Sequence, residues 1–155
     1  MCIIHTMDDD LRQLHGALMD LVGVLNRPEP DARLLREAGV KLDRALFPLL
    51  VRVGARGPIG VVELADLAGR DHSTVSRQVA KLESLGLVER RPGADKRVRE
   101  AVITEAGRAM TDALDAARGR LQGPVLAGWN PQDRKDLVRL VRKLADEALA
   151  WKDEG

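Results

Sequence analysis

The chain has 155 residues, a formal net charge of +1, and hydrophobic and charged shares of 45% and 32%, which excludes a disordered polymer and fits one soluble, folded domain. Cys2 is the only cysteine, so an internal disulfide is excluded and a cytoplasmic location is expected. No apolar run approaches the roughly 18 residues of a membrane span, and Cys2-Ile3-Ile4 is too short for the apolar stretch of a signal peptide.

The aromatic share is only 2%, supplied by Phe47, Trp129 and Trp151, which leaves the core to Leu, Val and Ala and suits helix-on-helix packing. Asp8-Asp9-Asp10 can cap a helix, with residues 1–6 as a short arm ahead of it or Met7 as the start of the chain. Leu11, Leu14, Leu18, Leu21, Val22 and Leu25 then keep helical intervals. This helix is expected to end ahead of Pro28, because proline disfavours helix in the residue before it. Asp31 is the candidate cap of a second helix carrying Leu34, Leu35, Ala38, Leu42, Ala45, Leu46, Leu49 and Val53, kinked or ended at Pro48. Gly54, Gly57, Pro58 and Gly60 break the chain. A short helix over 61–68 follows, then a tight turn at Gly69-Arg70-Asp71, then a helix capped by Asp71 or Ser73 and closed at Gly86. Two strand-like runs, 87–91 and 98–103, flank a charged loop over 92–97. A helix from Thr104 to about Gln122 is bent or interrupted at Gly123-Pro124. Asn130 and Pro131 open the last helix, whose apolar stripe is Leu137, Leu140, Val141, Leu144 and Ala148. The expectation is about six helices and one small hairpin, with no internal repeat.

Residues 61–86 carry the functional signal. Val62, Leu64, Ala65 and Ala68 give the short helix an apolar side. Val75, Val79, Leu82 and Leu85 turn one face of the next helix inward. Its other face holds Ser73, Thr74, Ser76, Arg77, Gln78 and Lys81. Small residues allow close approach to a major groove, Arg and Gln pair with base edges, and Lys meets phosphate. An ordinary solvated bundle helix also presents such a face, so the hairpin carries the distinction. Gly93 lets its loop turn, and Asp95, Lys96 and Arg97 form a tip that follows the candidate recognition helix directly. An arginine placed there can reach the adjacent minor groove. Between Arg70 and Glu100 lie eight basic and five acidic residues, a local excess of the sign that nucleic acid requires.

The run from Asp71 to Pro92 (DHSTVSRQVAKLESLGLVERRP), the triplet Asp95-Lys96-Arg97 and the run from Val102 to Gly107 (VITEAG) resemble the MarR family of transcription regulators. Ile103 stands where the family pattern has Leu. The motifs cover residues 61–107, and the helix order on both sides fits the same family. The resemblance implies a mainly α chain with a small β-hairpin wing, a winged helix-turn-helix domain flanked by N- and C-terminal dimerisation helices. Residues 1–57 would be the N-terminal helices, 58–104 the DNA-binding region and 105–155 the C-terminal dimerisation helices of one compact chain. It also implies a homodimeric, sequence-specific regulator, usually a repressor, on double-stranded DNA. A symmetric dimer reads a pseudo-palindromic operator with half-sites about one helical turn apart.

Carried over position by position, Ser73, Thr74, Ser76, Arg77 and Gln78 take the groove-facing places. Arg97 takes the minor-groove place on the wing, and Asp95 matches the acid that holds the wing arginine or its neighbours. Lys81 and Arg91 fit phosphate partners or plain surface, and Lys96 adds charge at the tip. Some relatives bind small aromatic acids in a cleft between the dimer helices and the winged module, so the resemblance also carries a small-molecule effector. His15, Arg44, Arg52 and Trp129 are candidates to line such a cleft, each better explained as structural or exposed. Others sense oxidants through a cysteine in the first helix. Cys2 lies ahead of that helix and the chain has no Tyr, so no redox role is expected. His5, His15 and His72 lie too far apart in sequence to suggest a metal site, and residues 54–57 are too irregular for a phosphate loop. No cofactor and no enzymatic activity are expected. The rival reading is a winged module that binds another protein instead of DNA.

Overall fold

The computed structural model describes residues 2–152, with side chains described for residues 7–151. The redox expectation for Cys2 lies outside the described side chains. Helix α1 is Cys2–Leu25, so the helix passes through the acidic run instead of beginning at it. Helix α2 is Pro28–Glu37, with Pro28 in its first turn and Arg27, not Asp31, at the N-cap. A proline fits there because that N–H has no partner inside the helix. Asp31 serves elsewhere and accepts from Arg44 Nε at 2.9 Å.

The expected second helix is two helices. Gly39 takes a left-handed φ of 65°. The amides of Gly39 and Val40 close onto the carbonyls of Arg36 and Leu35 at 3.1 and 3.0 Å, a Schellman ending that stops α2. Pro48 then stands in the first turn of α3, Phe47–Arg56. It starts a helix and does not kink one.

Strand β1 (Ile59–Gly60), α4 (Val61–Ala68), α5 (His72–Ser84), β2 (Val88–Pro92), β3 (Arg99–Ile103), α6 (Glu105–Leu126) and α7 (Pro131–Lys152) complete the chain. The expected hairpin is part of a three-stranded antiparallel sheet of order β1-β3-β2. Ile59 faces Ala101, and Val88 faces Ile103. Pro124 lies inside α6 without interrupting it. It sits in the final turn, where its missing N–H removes one helical bond and leaves little helix beyond to redirect. Asn130 caps α7 as expected: its Oδ1 accepts from the Asp133 amide at 2.8 Å, and its Nδ2 donates to Asp133 Oδ2 at 2.6 Å.

Two apolar clusters hold the body together. Leu49, Leu50 and Val53 of α3 meet Leu64 and Ala65 of α4, Val75, Val79 and Leu82 of α5, and Val88 and Ala101 of the sheet. A smaller cluster of Leu34, Phe47, Leu114 and Ala117 ties α2 and α3 to α6. Helices α1 and α7 behave differently: none of their described side chains is buried. No described helix is long and apolar enough to cross a membrane.

Candidate nucleic-acid interface

Helix α5 is placed by its two ends and its inner face. Gly69 turns the chain after α4 at φ 62°. Asp71 is the N-cap of α5 and accepts from the Thr74 amide at 3.0 Å and from the Ser73 hydroxyl at 2.6 Å. These bonds, the Ser73 hydroxyl first, hold its carboxyl well below the usual carboxylate range. The folded-state pKa is thus below the unfolded one. The cap's contribution is complete above the unfolded value and is lost as pH falls through the folded one. The stability lost in Asp71→Ala, measured by urea unfolding, should be constant near neutrality and should shrink below about pH 4. At the far end Gly86 takes φ 72°, and Val75, Val79 and Leu82 are fully buried on the inner face.

Seen from solvent, α5 presents Ser73, Arg77, Ala80, Lys81 and Ser84 as its exposed row. Thr74, Ser76 and Gln78 lie half-buried on its flanks. Thr74 Oγ1 accepts from Arg77 Nη2 at 3.3 Å. The Ser76 carbonyl accepts from Arg90 Nη2 at 3.1 Å, and Gln78 Oε1 accepts from Arg70 Nη1 at 3.0 Å. Ala80 was missed in the sequence because only polar residues were weighed there. The signal was its spacing: it falls four residues after Ser76 and seven after Ser73, on the same row.

The wing tip is a compact turn. The Gly93 amide donates to the Val98 carbonyl and the Val98 amide to the Asp95 carbonyl, both at 2.9 Å. Asp95 Oδ1 accepts from the Arg97 amide at 3.0 Å. Asp95 therefore fixes the backbone of Arg97 and leaves the guanidinium to project. Asp95, Lys96 and Arg97 are all exposed.

Ion pairing sorts the cations of this region. Arg90 lies 3.5 Å from Glu83, and Arg91 pairs with Glu89. Among the described residues Arg52, Arg70, Arg77, Lys81, Lys96 and Arg97 form no ion pair. Exposed Arg99 on β3 also forms none, so the uncompensated exposed charge lies on the outer row of α5 and on the wing, which is where a polyanion would be met. Arg91, already neutralised by Glu89, is less suited to phosphate.

None of the four candidates for an effector cleft is among the residues that line the cavity at the end of α1. His15 is exposed on α1, Arg44 is taken by Asp31, Arg52 donates to the Pro48 carbonyl at 3.1 Å, and Trp129 is exposed. That cavity, of about 650 Å³, is instead lined by Val24, Leu25, Leu34, Phe47 and Leu121, with Arg27, Arg33 and Arg118 among its charged groups.

A family model described as HVO_A0114 matches residues 42–102. The chain is 32% identical over 104 residues to the Uncharacterized HTH-type transcriptional regulator YxaD of Bacillus subtilis strain 168, an alignment spanning 66% of this chain and 73% of that protein. The crystal structure of MarR superposes with a TM-score of 0.71 at 24% identity, covering 89% of this chain and 95% of that one. A MarR family transcriptional regulator from Listeria monocytogenes, complexed with 26mer DNA, superposes with a TM-score of 0.67 at 22% identity, covering 88% and 94%. The structural likenesses establish the fold.

Proposed function

The chain belongs to the MarR family of winged helix-turn-helix transcription regulators, and on that premise we propose that it is a homodimeric repressor of a pseudo-palindromic operator, released by a small-molecule effector. In this reading residues 58–104 meet the DNA, while residues 1–57 and 105–155 supply the dimer. The observation that carries the DNA-facing part is the coincidence of unpaired exposed cations with the two elements that fit the grooves. Arg77 and Lys81 lie on the outer row of α5, and Lys96 and Arg97 lie at the wing tip. Ser73 and Ala80 between them are small enough to admit close approach to base edges. A protein-docking face would instead expose apolar groups along this row.

The dimer is supported by α1. A helix of 24 residues that buries no described side chain has little to hold it in water, since isolated helices draw most of their stability from packing. Its apolar stripe calls for a partner, and a second copy supplies the same stripe by symmetry. The cavity at the end of α1 supports the effector: about 650 Å³ falls within the range of small-ligand pockets. It also joins α1 and α2 to α6, so an occupant would bear on the spacing of two winged modules.

The deciding experiment is a band shift with DNA from around the chain's own gene, at several salt concentrations. Arg77→Ala and Arg97→Ala should each weaken specific binding by about 1–3 kcal/mol and relax base preference. Lys81→Ala should weaken all sequences alike and lower the salt slope by about one. Wild-type protein that shows no preference among promoter fragments at moderate salt would sink the reading.

A further inference from the structure

Arg70 lies half-buried in the turn between α4 and α5. Its Nη1 donates to the Ala45 carbonyl at 2.7 Å and to Gln78 Oε1 at 3.0 Å. Ala45 precedes α3 and Gln78 lies in the middle of α5, so one guanidinium ties the recognition helix to the segment that enters the winged body. Arg52 lies beside it, half-buried and held by the Pro48 carbonyl. Burial, and then the like charge of Arg70, lower the pKa of Arg52. Neither arginine has a carboxylate partner among the described ion pairs, so Arg70 relies on neutral oxygens, and Gln78 supplies one of them. An arginine has only donors, so the amide atom that faces it must be the oxygen. The orientation of the Gln78 amide is thereby fixed.

We propose that Arg70 is a specificity-determining positioning residue: it holds the Gln78 oxygen toward the protein, so that Gln78 meets DNA as a hydrogen-bond donor only. This rests on α5 being the groove helix. Glutamine reads adenine through two bonds, accepting from N6–H and donating to N7. With its oxygen held by a cation, a stronger partner than a neutral amine, and so turned toward the protein, Gln78 presents its donating half to the DNA. Guanine offers acceptors at O6 and N7, and thymine offers O4. Adenine keeps one bond, at N7, as thymine does at O4, so guanine with its two acceptors is favoured and adenine loses its advantage.

Selection of bound DNA from a random pool tests this with the full chain, Gln78→Ala, Gln78→Glu and Arg70→Met. The position whose preference vanishes in Gln78→Ala is the one that Gln78 reads. Wild type should prefer guanine there, and Arg70→Met should move the preference toward adenine by about fivefold to tenfold, the worth of one regained hydrogen bond. Gln78→Glu keeps its link to Arg70 but offers acceptors only, so it should favour cytosine, whose N4 amine donates. That variant keeps the test open if Arg70→Met does not fold. A clamp that is merely structural would weaken every site equally and leave base preferences unchanged. That outcome, an adenine preference in wild type, or an unaltered Gln78→Ala profile would overturn the inference alone. A wild-type chain that selects no DNA would overturn the DNA-binding reading beneath it.

Discussion

Gly107→Ala is expected to lose on the order of 3 kcal/mol of stability, among the larger effects of a single added methyl group. Gly107 is buried in the first turn of α6. A Cβ there would lie 2.1 Å from the Leu87 carbonyl oxygen and 2.8 Å from Ile103 Cγ1. The first contact is with backbone, so no rotamer relieves it. That backbone cannot retreat cheaply either. The Leu87 carbonyl accepts the Thr104 amide at 3.1 Å. Thr104 Oγ1 accepts the Gly107 amide at 3.1 Å and donates to the Gly86 carbonyl at 2.6 Å. The start of α6, the end of α5 and the root of the wing therefore meet at one point. A fall in melting temperature of roughly 10 °C should follow for a chain of this size. Gly119→Ala in the same helix is the control, since beyond the adjoining residues and the backbone of its own helix nothing lies within 4 Å of its added Cβ. It should be neutral or stabilising by up to about 1 kcal/mol. If Gly107→Ala melted with wild type, the close approach described for α6 would be wrong.

What the sequence made legible were the features written in local chemistry. The caps Asp71, Thr104 and Asn130 stand where side-chain oxygens precede periodic apolar residues, and Gly86 takes the left-handed position its place implies. The buried face of α5 and the turn at the wing tip were legible for the same reason, since periodicity and glycine act over a few residues, whereas on the outer face only Ser73, Arg77 and Lys81 of the expected six are exposed. Features that depend on distant partners were not. Strand β1 has two residues, too few to show alternation, and exists because β3 is there to pair with it. Apolar spacing continued across residues 38–46, so two helices read as one, although Gly39 ends α2 by a local rule that was overlooked. Pro48 was ambiguous because proline can begin a helix as readily as it breaks one. The bond from Arg70 to Gln78, and that from Arg70 to Ala45 across 25 positions, had no sequence signature. Hence Gln78 read simply as a groove residue.

Leu14→Glu combined with Leu18→Glu is expected to convert the proposed dimer into a monomer and to weaken binding to the proposed operator by about a hundredfold or more. Leu14 and Leu18 are neighbours on one face of α1, one turn apart, and are 42% and 40% exposed in the single chain. Leu11, Leu21, Val22 and Leu25 extend the stripe, and Val138, Val141 and Leu144 expose a similar one on α7. Full burial of one such side chain contributes about 1.5–3 kcal/mol, and two-fold symmetry counts every substituted position twice. Two glutamates would therefore bring four charges into an apolar seam, where burying an unpaired carboxylate is costly. The winged body should be spared, because its clusters draw on α2 to α6 and the sheet and on no residue of α1. The melting of the body should thus stay close to wild type while sedimentation velocity reports half the mass. Operator affinity falls for a separate reason: joined modules bind the second half-site at a high effective concentration, and a monomer forfeits that gain. Half-site affinity measured on a short duplex should survive. A double variant that still sediments as a dimer would move the interface away from α1, and a monomer that keeps full operator affinity would show that one winged module suffices.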